Sequence, residues 1–212
     1  MVDFIIDGDR SANWTFVFAH GSGAAMDSVF MQEITDGLVA QGICVARFEF
    51  AYMAGRRRGG SKRPPPKMPV LEDEFRDALA ELQPTGGVII GGKSMGGRVA
   101  SLIGGDLYAS GAIHGVVCLG YPFHPQGKPE KLRTAHLEDL DVPTLICQGT
   151  RDPFGTSQEV SGYALSEKIE VAWFEDGDHD LKPRKRVTGM SHEAQLGAVC
   201  DRVTGWIKGV AE

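Results

Sequence analysis

The chain is short of cysteine, of long apolar runs and of basic charge, and each shortage excludes something. Four cysteines among 212 residues (Cys44, Cys118, Cys147 and Cys200) are too few and too scattered for a disulfide framework or a zinc site. Cys44, Cys118 and Cys147 fall in strand-like runs and read as buried free thiols, so a reducing, cytoplasmic setting is expected. No stretch approaches the roughly 18 apolar residues of a membrane-spanning helix. Residues 1–8 carry no basic region ahead of their apolar positions, so no signal peptide is expected. Lys plus Arg number 22 against 28 Asp plus Glu, a formal net charge of -6, which argues against a general nucleic-acid binder. What remains is 42% hydrophobic and 24% charged, the make-up of one soluble globular domain over 1–212.

Short apolar runs alternate with helical patterns along nearly the whole chain. The runs lie at 14–19, 43–50, 88–90, 116–119, 144–147 and 171–174, with a weaker one at 4–6. Most are apolar on successive residues, as strands buried on both faces are. Leu71, Phe75, Ala78, Leu79 and Leu82 recur at helical spacing, and Pro84 closes that segment. Phe30, Ile34 and Leu38 mark a helix near 27–41, and Val199, Val203, Trp206, Ile207 and Val210 mark a last one, with Ser191 as its N-cap. Thr156 and Glu159 have capping-box spacing. This alternation predicts an α/β fold, a mostly parallel doubly wound sheet with helices on both faces. Residues 55–69, basic and turn-rich, are expected to hold no regular structure, and 121–129, with three prolines, reads as a loop.

Two motifs end on or around one serine. Gly92-Lys93-Ser94-Met95-Gly96 matches G-x-S-x-G, a strained strand-to-helix turn that lifts a hydroxyl above the sheet edge. A strand run precedes it and a helical pattern from Arg98 to Leu107 follows, which is the context the motif requires. Gly87 to Ser94 also matches the phosphate-cradling G-x-x-x-x-G-K-S. That reading conflicts with its surroundings: Val88, Ile89 and Ile90 occupy positions that should be open loop, and a helix end and turn precede Gly87. Gly21-Ser22-Gly23 falls short of a dinucleotide fingerprint because position 26 is Met. No cofactor and no metal is therefore expected.

A serine nucleophile needs a base, and the base an acid to orient it. Asp152 follows the run 144–147, and His179 follows the run 171–174, so Ser94, Asp152 and His179 each stand past a strand end in the chain order Ser, Asp, His. His20, His114, His124, His136 and His192 read as structural or exposed, and Glu49 as an ion-pair partner of Arg47 or Arg98. An oxyanion needs two backbone donors. One is expected at Met95. The other is expected in the glycine-rich turn after residue 19, at Ser22, with Gly23 as the alternative.

These residues resemble an α/β-hydrolase across about 4–210. The chain is most similar to small serine hydrolases related to dienelactone hydrolases, a group that also resembles the hydrolase-like domain of a chromatin-acetyltransferase complex subunit. The resemblance rests on His20-Gly21-Ser22-Gly23, on Gly92 to Gly96, on Asp152 in Gly-Thr-Arg-Asp-Pro-Phe-Gly and on His179 in Gly-Asp-His-Asp. It implies an eight-stranded sheet, here shortened at its N-terminal edge, with minimal or no cap. It also implies hydrolysis of carboxylic esters or related acyl compounds of small size. Dienelactone hydrolases use a cysteine where this chain has Ser94, so lactone specificity does not carry over. The contrasting expectation is a hydrolase-like binding or scaffold module that docks through its basic loops. Ten of the 22 basic residues lie in 55–69 and 182–186, where there is no acid. Arg56, Arg57, Arg58, Lys182 and Arg184 are thus expected to form a positive rim for an anionic substrate.

Overall fold

The computed structural model describes residues 2–210; Met1, Ala211 and Glu212, within the expected 1–212 unit, lie outside the described residues. Seven strands form one sheet in the order β1-β3-β2-β4-β5-β6-β7. They are β1 (Phe4–Asp7), β2 (Trp14–Ala19), β3 (Cys44–Phe48), β4 (Gly87–Lys93), β5 (Gly115–Leu119), β6 (Thr144–Gly149) and β7 (Ile169–Phe174). Only β1 runs antiparallel; every other neighbouring pair is parallel. The central strands are buried along their length because apolar side chains leave both faces, and helices cover both.

The pleat divides the core in two. Val17, Phe48, Ile90, Val116 and Ile146 point to one face, under Leu71, Phe75 and Ala78 of α3 (Met68–Leu82) and Val99 and Ile103 of α4 (Met95–Ala109). Phe16, Phe18, Val45, Ile89, Val117 and Leu145 point to the other, under α1 (Val29–Val39) and α7 (His192–Gly209). Each fully buried large apolar side chain contributes about 1.5–3 kcal/mol relative to exposure.

Most boundaries fall within two or three residues of the sequence reading. The capping box is present on α5 (Ser157–Val160), where the Glu159 N–H donates to Thr156 Oγ1 and the Thr156 N–H donates to Glu159 Oε2. Ser191 caps α7 by accepting from the Ala194 N–H. Among the described residues the sheet has seven strands, as the seven apolar runs and the shortened N-terminal edge predict. Two expectations are corrected. The last strand, β7, is half-exposed because it forms an edge. Residues 55–69 are also partly helical: Gly55 to Arg57 finish α2 (Ala51–Arg57), and Met68 and Pro69 open α3. Pro69 at the second helical position needs no donor partner, which is why a proline-rich run can feed directly into a helix.

Chain order matters for function. β2 is followed by α1 on one face and β4 by α4 on the other, and the two strands are neighbours. The segments leaving their C-terminal ends diverge and leave a crevice between them. The close packing that fixes β4 is strictest at Gly91, where a Cβ would run into the Val117 carbonyl oxygen and stand 2.8 Å from the Phe16 ring. Gly91→Ala is expected to destabilise the protein by about 1–3 kcal/mol. Urea unfolding with an unchanged m-value would show it, and a midpoint equal to the parent's would refute it.

Candidate active site

Ser94 lies between β4 and α4 with φ 51° and ψ -112°, a conformation that costs a non-glycine residue about 1–3 kcal/mol. The turn closes because its flanking glycines have no side chain. A Cβ on Gly92 would stand 2.6 Å from the Ala19 carbonyl oxygen, and one on Gly96 2.7 Å from that of His20. The Ser94 hydroxyl is hydrogen-bonded to His179 Nε2 at 2.8 Å, and His179 Nδ1 to Asp152 Oδ2 at 2.8 Å. A carboxylate can only accept, so Nδ1 carries the proton and Nε2 faces Ser94 as the acceptor.

Asp152 is fully buried, and its partners account for that. Oδ1 accepts from the Phe154 N–H at 2.8 Å, and Oδ2 also accepts from Gln148 Nε2 at 3.0 Å. Gln148, at the end of β6, also exchanges two hydrogen bonds with the Tyr121 backbone, joining the acid to the segment after β5. Behind the histidine, Lys93 Nζ donates to the His179 carbonyl at 2.7 Å and pairs with Asp180 at 3.2 Å. Burial pulls the Lys93 ammonium below its ordinary range, and Asp180 opposes that. Neither Gln148 nor the work of Lys93 is apparent from sequence. The one signal is that Lys93 immediately precedes Ser94, in a motif that otherwise suggests phosphate binding.

The turn after β2 is held by His20. The Phe50 N–H donates to its Nε2 at 3.2 Å, so the proton sits on Nδ1, which donates to the Gly21 carbonyl at 2.6 Å. That bond fixes the plane of the Gly21–Ser22 peptide and hence the direction of the Ser22 N–H. Among the described residues, the N–H groups of Ser22, Gly23 and Met95 have no acceptor. Ser22, Gly23, Ser94, Met95 and His179 all line one cavity of about 470 Å³.

A second serine–histidine contact lies nearby. His136 Nε2 is 2.9 Å from Ser101 Oγ. Ser101 is buried in the middle of α4 and its only hydroxyl proton goes to the Arg98 carbonyl at 2.8 Å. His136 therefore donates to Ser101 rather than accepting from it, and the pair cannot generate an alkoxide. The remaining histidines are placed structurally: His114 Nδ1 accepts from the Val88 N–H, His124 contacts the Pro125 carbonyl and Glu159, and His192 contacts the Asp180 carbonyl.

None of Arg56, Arg57, Arg58, Lys182 and Arg184 lines the cavity that holds Ser94. Arg57 pairs with Glu49 and Asp27, Arg58 with Asp3, and Arg184 with Asp176. Glu49 therefore pairs with Arg57 rather than with Arg47 or Arg98; Arg47 pairs instead with Asp7 at 2.7 Å. The positive charge in the cavity wall comes from Arg98, Arg133 and Lys93. Among the described residues, no three His, Cys, Asp or Glu side chains are grouped to hold a metal, and no helix is long and apolar enough to cross a membrane.

Burial drives His136 down to about 4, with the Arg98 charge adding to the effect, and burial also lowers His20. Between pH 6.5 and about 4 the unfolded chain therefore binds protons at these positions that the folded one does not, so stability falls as pH falls through that window. His136→Gln is expected to flatten this dependence in urea titrations at stepped pH; a slope equal to the parent's would refute it.

The α/β hydrolase domain family matches residues 12–208. The chain superposes on Est1E from Butyrivibrio proteoclasticus with a TM-score of 0.71 at 12% identity, covering 99% of this chain and 94% of that one. It matches a dienelactone hydrolase from Anabaena variabilis at 0.69 and 19%, covering 98% and 91%. It also matches a lidless α/β serine hydrolase from Xanthomonas campestris at 0.66 and 16%, covering 99% and 88%. At such identities the structural matches speak for the fold alone. The family match spans nearly all of the chain, and with the parallel sheet and the turn at Ser94 it identifies this protein as a member of the α/β hydrolase family.

Proposed function

We propose that this hydrolase cleaves carboxylic esters or related acyl compounds, thioesters included, through an acyl-enzyme on Ser94. The observation that carries the reading is the continuous chain Ser94–His179–Asp152, with both contacts at 2.8 Å, at the floor of the 470 Å³ cavity. In the first half-reaction Ser94 Oγ bonds to the acyl carbon and its proton passes to His179 Nε2. Asp152 holds the imidazole in the tautomer that can accept it and stabilises the resulting imidazolium. The N–H groups of Met95 and Ser22 bind the oxygen that gains charge. His179 then protonates the leaving group and the carbon–heteroatom bond breaks. In the second half-reaction water gives its proton to His179 and attacks the acyl carbon, and the serine regains its proton as the acid leaves.

The surrounding structure suits this role. His179 is attached to a loop that Lys93 pins by its backbone, and the Asp152 carboxylate is fixed by three hydrogen-bond partners including the histidine. Orientation of this kind supplies much of the advantage of a preorganised site. The four buried free thiols suit a reducing, cytoplasmic setting, and the chain is read as acting as one unit on a small-molecule substrate without a cofactor.

Ser94→Ala is expected to abolish both fluorophosphonate labelling and hydrolysis of p-nitrophenyl butyrate; labelling at the parent's rate would overturn the assignment. Asp152→Asn preserves shape but forces the wrong tautomer, and kcat should fall by about 10⁴-fold. A loss of less than tenfold would remove Asp152 from the mechanism. A scaffold module would show neither labelling nor turnover in the unmodified protein.

A further inference from the structure

We infer that the substrate carries its own carboxylate, held by Arg98 and Arg133 in the same cavity that holds Ser94. This rests on the hydrolase reading above and specifies its substrate class. Both guanidinium groups line that cavity, and among the described residues neither has a hydrogen-bond or ion-pair partner. Seven other arginines, Arg47, Arg57, Arg58, Arg76, Arg151, Arg184 and Arg202, have carboxylate partners, and those without one among the described residues, Arg10, Arg56, Arg63 and Arg186, do not line this cavity. The Arg98 Nε–H is buried without an acceptor, a cost the fold retains beside its nucleophile. The one carboxylate in the cavity wall, Asp180, is engaged by Lys93. Burial lowers the proton affinity of the Arg133 guanidinium, and the neighbouring Arg98 charge adds to it; both costs are relieved when an anion sits between the two.

Position sets the size of the ligand. Arg98 follows Ser94 by four residues, so its side chain leaves α4 on the same face, one helical turn of roughly 5.4 Å further along. Arg133 reaches the same space from the segment between β5 and β6, with Pro122 beside it. Phe154, whose ring centroid lies 4.2 Å from that of His179, and Met68 add apolar wall to the same cavity. A chain of about three or four carbons spans one turn. The chemistry that fits is a monoester or monothioester of a short dicarboxylic acid, with the ester carbonyl at Ser94 and the free carboxylate between the arginines.

The test compares monoethyl glutarate with ethyl pentanoate, a neutral ester of similar length, by titrating released acid. The parent enzyme should prefer the charged ester in kcat/KM by at least tenfold, and the preference should shrink as salt rises. Arg98→Gln and Arg133→Gln should each lower the preference ratio by about tenfold or more. Free glutarate at millimolar concentration should slow fluorophosphonate labelling of the parent, and pentanamide should not. Equal rates on the two esters, with labelling intact, would overturn the carboxylate site and leave the hydrolase reading standing. Absence of labelling in the parent would sink both. Arg56→Ala serves as the rim control, and if it lowered the ratio as far as Arg98→Gln, the assignment to the cavity arginines would fail.

Discussion

A single backbone turn sets the rest of the site. Ser94 must leave β4 and enter α4 at a positive φ, with no room for side chains on the glycines before and after it. The helix that begins at Met95 then carries its exposed N–H groups and, one turn on, Arg98 toward the same cavity. The strain is held in place by what surrounds it: β4 lies between two parallel neighbours, and α4 is packed against the sheet through Val99 and Ile103. A strained serine at a loosely packed edge would relax; in the middle of a seven-stranded sheet it cannot.

Around that turn the polar groups are arranged by how many partners they have. Asp152 is buried and saturated, His20 has both ring nitrogens engaged, and Ser101 has its proton committed to a helix carbonyl. Each of these is fixed in one tautomer or one orientation. Around the cavity, the groups left without a partner among the described residues are the N–H groups of Ser22, Gly23 and Met95 and the guanidinium groups of Arg98 and Arg133. In a buried or half-buried setting an unmet donor is unfavourable, so the open positions mark where a ligand's acceptors complete the structure.

The fold was largely legible because parallel strands buried on both faces read as uninterrupted apolar runs, and the runs at 116–119 and 144–147 lie within β5 and β6. It was less legible where local chemistry misleads. Gly55-Arg56-Arg57 looks like a turn, yet it ends α2 because Arg57 gains Glu49 and Asp27 as partners. The expected rim shows a related limit. Ten clustered basic residues are conspicuous in a sequence, but pairing is a three-dimensional property, and three of the five rim positions are already matched by acids from elsewhere in the chain. Arg98 and Arg133, 35 positions apart and unremarkable in sequence, are the unpaired arginines that line the cavity. Gln148 is hidden for the same reason, since nothing in a strand sequence tells which side chain will brace a carboxylate across a loop. The positions of Ser94, Asp152 and His179 could be read because strand ends are readable, and in this topology loops past those ends share one edge.

The bond from Lys93 to the backbone of His179 has a consequence for how the protein fails. It joins the residue before Ser94 to a loop three strands away, so the two segments cannot separate without leaving an ammonium and a carbonyl unmatched in a poorly hydrated setting. His179 therefore does not fray away independently while the rest of the sheet persists. Loss of the Ser94–His179–Asp152 geometry and loss of the C-terminal strands become one cooperative event, and that arrangement lasts as long as the tertiary structure does.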